Sequence, residues 1–74
     1  MTQTTPTKKL SELQMEILVL LSKGLENREI AEILGISFHC ARGRIKEIYR
    51  KLDAHNAAEA VSEGYQLGYL KVIE

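Results

Sequence analysis

The chain has no tryptophan, one phenylalanine, one proline and one cysteine among its 74 residues. Each shortage removes a class of protein. A lone cysteine, Cys40, allows no internal disulfide, and nothing points to an oxidising compartment. Few residues suit strands, which leaves little from which to build a sheet. The longest apolar stretches, such as Ile17 to Leu21, fall far short of a bilayer, so no membrane partner is expected. The opening MTQTTPTKK has no apolar run behind its charges, so no secretory leader is expected and the chain reads as cytoplasmic. Net charge is missing as well, ten cations balancing ten carboxylates. What remains is an ordinary apolar share of 45%, in a single domain near the lower size limit for a self-sufficient core.

What is present is clear punctuation at helical spacing. Residues 1 to 9 are polar, carry Pro6 and read as a flexible arm, with the domain proper over 10 to 74. Ser11 followed by Gln14 forms a capping-box pattern, with Leu10 placed as a hydrophobic staple. The first helix then runs to about Ser22 and stops at Gly24. Asn27 is placed to cap a second helix over about Arg28 to Leu34, which ends at Gly35. Ser37 caps a third that continues to about Leu52, and Asn56 with Glu59 opens a fourth that ends at Gly68. The tail YLKVIE is apolar enough to pack back on the body.

Apolar residues at three- and four-residue steps supply one stripe per helix. They are Ile17, Leu18 and Leu21; Ile30, Ile33 and Leu34; Ala41, Ile45, Ile48 and Leu52; and Ala60, Val61 and Gly64. Four short stripes are satisfied only by packing together, so the fold expected is all-α, a four-helix unit. Ala31 and Ala41 allow the second and third helices a close approach across the turn at Gly35, Ile36 and Ser37, with Ile36 pointing inward. A short helix, a tight turn and a longer basic helix over residues 27 to 52 form the helix-turn-helix arrangement that enters a DNA major groove.

Zero net charge opposes nucleic-acid binding, but the distribution of charge points the other way. Residues 37 to 52 gather Arg42, Arg44, Lys46, Arg50 and Lys51 against Glu47 alone, while the segments on either side are acidic. A cationic field concentrated on one helix is what phosphate attraction requires, although a solvated surface helix can carry the same charges. Removing the core positions leaves Phe38, His39, Arg42, Gly43, Lys46 and Arg50 outward on that helix. Arg42 and Lys46, one turn apart, are placed to reach base edges. Gly43 between them costs about 1 kcal/mol relative to alanine, which close approach to DNA would explain. Arg44, Arg50 and Lys51 suit phosphates, as do the helix starts around Asn27 and Arg28 and around Ser37, His39 and Cys40.

The run Leu10-Ser11, Glu16-Ile17-Leu18, Gly24-Leu25, Asn27-Arg28-Glu29-Ile30-Ala31, Leu34-Gly35-Ile36-Ser37, Arg42, Arg50-Lys51-Leu52 and Glu59-Ala60-Val61 resembles the LuxR/NarL-type helix-turn-helix domain. The resemblance covers residues 10 to about 70, and the short chain is similar to the stand-alone, GerE-like members. It implies a sequence-specific transcriptional regulator whose third helix reads double-stranded DNA and whose fourth supports a homodimer on two half-sites, in the bacterial nucleoid. On that basis Arg42, Gly43 and Lys46 fall at base-contacting positions, with Cys40 and Arg50 near the backbone. The chain departs from the family at Phe38, His39, Cys40, Ala41 and Arg44, where members carry acidic or polar, basic, Thr, Val and His residues. The missing hydroxyl at 40 removes one phosphate contact, so no operator sequence transfers.

Three further groups stand apart from the basic helix face. Leu13, Met15 and Val19 replace charges common in the family; they either pack on the tail or arm, or dock another protein such as RNA polymerase or a second regulator. Cys40, near His39, Arg42 and Arg44, is either a small packing residue or a redox switch on the DNA-facing helix. Val61, Tyr65, Tyr69 and Leu70 suit a dimer seam, or for the tail residues packing within the chain. No metal site or cofactor is expected, and no enzyme: His39 and His55 lie on different elements without partners at ligand spacing, and no glycine-rich phosphate loop occurs. The remaining alternative is an adaptor or co-regulator that keeps the helix-turn-helix shape but binds protein.

Overall fold

The computed structural model describes residues 9 to 71 and contains four helices in that span: α1 (Glu12–Ser22), α2 (Asn27–Leu34), α3 (Phe38–Leu52) and α4 (Ala57–Leu67). No strand occurs among the described residues, so the architecture is the all-α one expected. The first residue of the domain proper is anchored: Leu10 is buried, its N–H donating to the Tyr69 hydroxyl at 3.2 Å. Residues 1 to 8, which make up all of the arm but Lys9, and the last three residues of the tail lie outside the described residues.

Local chemistry sets the helix ends. The Ser11 hydroxyl accepts from the Gln14 N–H, and Gln14 Oε1 accepts from the Ser11 N–H at 2.9 Å, closing the capping box of α1. Ser37 Oγ accepts from the Cys40 N–H at 3.0 Å and starts α3. Asn56 Oδ1 accepts from the Glu59 N–H at 2.9 Å and starts α4. The expected return bond of that cap differs, because the Glu59 carboxylate reaches one residue further back, to the His55 N–H at 2.8 Å. At α2 the boundary moves by one residue: Glu26 occupies the cap position, its N–H held by Glu29 Oε1 at 2.8 Å, and Asn27 is already helical. Gly35 ends α2 with a φ of 69°, a left-handed conformation that side chains resist, while the Ile36 N–H returns to the Ala31 carbonyl. Asp53 ends α3 in the same region without being glycine.

The core comprises Leu10, Ile17, Leu18, Leu21, Ile30, Ala31, Ala41, Ile45, Ile48, Leu52, Ala60 and Leu70. One stripe residue departs from the inward position expected of it: Ile33 is 59% exposed. With about 100° per residue, Ile30, Leu34 and Ala31 define one face and Ile33 falls beyond its edge. Leu34, Ile36 and Val61 are half-buried. The α2–α3 pairing is the most extensive, with Ala31 and Ala41 both buried, while α1 and α4 pack together behind α3. Gly64 permits the last approach, since a Cβ there would lie 2.8 Å from Leu18 Cδ2 and 3.0 Å from Leu70 Cδ1.

Candidate nucleic-acid interface

With Ala41, Ile45, Ile48 and Leu52 turned into the core, the 3.6-residue period forces the polar remainder of α3 outward. Phe38, His39, Arg42, Gly43, Arg44, Lys46, Glu47 and Arg50 are all exposed. Gly43, Lys46, Glu47 and Arg50 line one shallow depression on this face. Among the described residues, nothing beyond the adjoining backbone of α3 lies within 4 Å of where a Gly43 Cβ would stand, so the fold places no steric demand for glycine there. Glu47 is a carboxylate within an otherwise cationic surface, a role not assigned from sequence; its spacing of one turn from Gly43 and Arg50 was the available signal.

The structure separates the other site residues into groups. Lys51, expected at a phosphate, is engaged within the chain: its ammonium donates to Gln14 Oε1 at 2.9 Å and to the Lys9 carbonyl at 3.4 Å. It therefore braces α3 against the start of α1. At α3's start the Cys40 N–H is already taken by Ser37, leaving the Phe38 and His39 amides without intrahelical acceptors. Cys40 is half-buried and Ser37 exposed. At α2's start Asn27 is half-buried and flanked by the acidic Glu26 and Glu29, which oppose a phosphate there. Arg28 instead places its guanidinium over the Phe38 ring, 5.9 Å from the centroid, and Arg42 lies over the same ring at 6.0 Å.

Away from α3, Leu13 and Met15 are half-buried against the core, which explains their apolar character, while Val19 is 37% exposed. Together with Glu12 and Glu16 these residues border a shallow surface. Leu70 is in the core, and Tyr69 is half-buried with its hydroxyl engaged by Leu10, so intrachain packing occupies both. Tyr65 remains exposed beside half-buried Val61. No helix among the described residues is long and apolar enough to cross a membrane.

Comparison with known proteins agrees with the four-helix fold. The model of the family described as bacterial regulatory proteins, luxR family, matches residues 8–63. The transcriptional regulatory protein YdfI of Bacillus subtilis is 36% identical over 63 residues, covering 85% of this chain and 30% of that protein. The HTH-type transcriptional activator RamA of Corynebacterium glutamicum is 34% identical over 64 residues, 86% of this chain and 23% of that protein. The response regulator protein VraR of Staphylococcus aureus is 35% identical over 57 residues, 77% of this chain and 27% of that protein. The chain thus spans less than a third of the length of these relatives. By its helices, its turn and the extent of the family match, the chain belongs to the luxR family of bacterial regulatory proteins.

Proposed function

We propose that this chain is a sequence-specific DNA-binding unit of a transcriptional regulator, laying α3 in the major groove. One observation carries the reading. Arg42, Lys46 and Arg50 run one turn apart along the exposed face of α3 beside a glycine that the fold itself does not require, with Arg44 exposed on the other flank. Arg42 and Lys46 take the base edges, guanine O6 and N7 being the natural acceptors for arginine. Gly43 lets the helix backbone approach the groove. Arg44, Arg50, His39 and the amides at α3's start hold phosphates, which position without specifying. YdfI and RamA are named as transcriptional regulators, in keeping with this role.

One module of this size covers little DNA, so two copies on adjacent half-sites are proposed, meeting through α4 at Tyr65 and Val61. Anisotropy titrations with random and selected duplexes at two salt concentrations test the proposal. Binding should weaken with salt and favour selected sites, and Arg42→Ala and Lys46→Ala should each cost about 1–3 kcal/mol on those sites. A protein-binding adaptor would be indifferent to both substitutions.

A further inference from the structure

The Phe38 ring is 45% exposed at the first position of α3, and Arg28 and Arg42 both bring their guanidiniums over it. A single exposed aromatic residue is ordinary. The convergence of two cations on it is not, because like charges are gathered rather than dispersed, and no carboxylate among the described residues is ion-paired with either. The ring's negative face offsets part of that repulsion and restricts where each guanidinium can go. Phe38 also stands one turn before Arg42, on the stripe that continues through Lys46 and Arg50. It therefore occupies the end of α3 from which a helix-turn-helix protein touches base edges.

Resting on the DNA-binding reading above, we infer that Phe38 is a specificity residue that reads the 5-methyl group of a thymine beside the guanine contacted by Arg42. An exposed phenyl ring has no hydrogen bond to offer a phosphate or a base. The one apolar feature of the major-groove edge is the thymine methyl, which phenylalanine can cover. One helical turn advances about 5.4 Å against about 3.4 Å per base step, so the thymine lies within about two base pairs of that guanine. The same ring holds the Arg42 guanidinium before DNA arrives, so the two residues act as one reading unit.

The test uses duplexes selected from a random pool by the full chain. Each thymine near a selected guanine is then replaced by deoxyuridine, which removes the methyl group and nothing else. With the unaltered protein, one such replacement should weaken binding about fourfold, the worth of one buried methyl group. In Phe38→Ala, confirmed as folded by its melting curve, that replacement should have no effect, while guanine selection weakens without being lost. Equal binding of thymine and deoxyuridine duplexes by the unaltered protein overturns the inference without requiring any variant. So does an undiminished deoxyuridine penalty in Phe38→Ala. Absence of any site-selective binding by the unaltered protein would instead defeat the DNA-binding reading, and this inference with it.

Discussion

The Lys51 ammonium on α3 donates to Gln14 Oε1 on α1 across 2.9 Å, closing a contact between residues 37 apart in sequence. Among the described residues Gln14 is the one buried polar side chain, at 6% exposure, and the same oxygen also accepts the Ser11 N–H. Lys51→Ala removes one of its two donors and is expected to cost about 1 kcal/mol in denaturant unfolding. The salt dependence of DNA binding should stay as it was. Arg50→Ala, by contrast, should reduce the slope of log affinity against log salt by about one. Equal loss of slope in both variants would return Lys51 to the phosphate contacts.

Two helical glycines should respond in opposite directions to alanine. A Cβ at Gly43 meets no other element among the described residues, so Gly43→Ala should stabilise the fold by about 0.5–1 kcal/mol while weakening binding to a selected duplex. At Gly64 the new methyl presses on Leu18, which is fully buried and has nowhere to move. Overpacking costs about 1–3 kcal/mol and exceeds the propensity gain of under about 1. Gly64→Ala should therefore melt lower than the parent and Gly43→Ala higher. A Gly43→Ala protein that melts higher and binds DNA unchanged would leave that glycine unexplained.

Glu47 shares its shallow depression with Gly43, Lys46 and Arg50. A carboxylate so placed repels every phosphate the helix approaches. Glu47→Gln should tighten binding to random duplex, most visibly at low salt where screening is weakest. Weaker binding in the variant would show that the carboxylate accepts a hydrogen bond from a base, cytosine N4 being the suitable donor.

Much of the fold and of the α3 face is legible in the sequence because it is local. The caps at Ser11, Ser37 and Asn56 and the stops at Gly35 and Gly68 depend on residues within a turn of one another. The stripe of α3 is long enough to fix its own phase, and with it the outward set from Phe38 to Arg50. Helix α2, with eight residues, is too short for that, which is why Ile33 reads as inward and yet is exposed. Asn27 is a better intrinsic cap than Glu26, yet the Glu29 carboxylate on the Glu26 N–H decides the boundary. The Lys51–Gln14, Tyr69–Leu10 and Arg28–Phe38 relationships join separate elements, and no spacing rule reaches them.

The start of α4 carries a dependence on acid. The His55 backbone N–H, and then its ring, hold the Glu59 carboxyl below the ordinary 4.5 of a glutamate. A carboxyl whose folded pKa is depressed adds stability that is complete above its unfolded value and disappears as pH falls through the folded one. The stability difference between the parent and Glu59→Gln should therefore shrink as the pH is taken below 4.5. Unfolding curves at stepped pH measure it, and a gap that persists unchanged in acid would contradict the assignment.

The face of α3 is tested most directly by amide chemical-shift mapping of the labelled protein as a selected duplex is added. The largest changes should fall from Phe38 to Arg50, with Arg28 joining them, and should fade as salt is raised. Leu13, Met15 and Val19 on α1 should remain quiet. Changes concentrated on that α1 surface, or none at any ratio of DNA to protein in low salt, would contradict a DNA-reading role for α3.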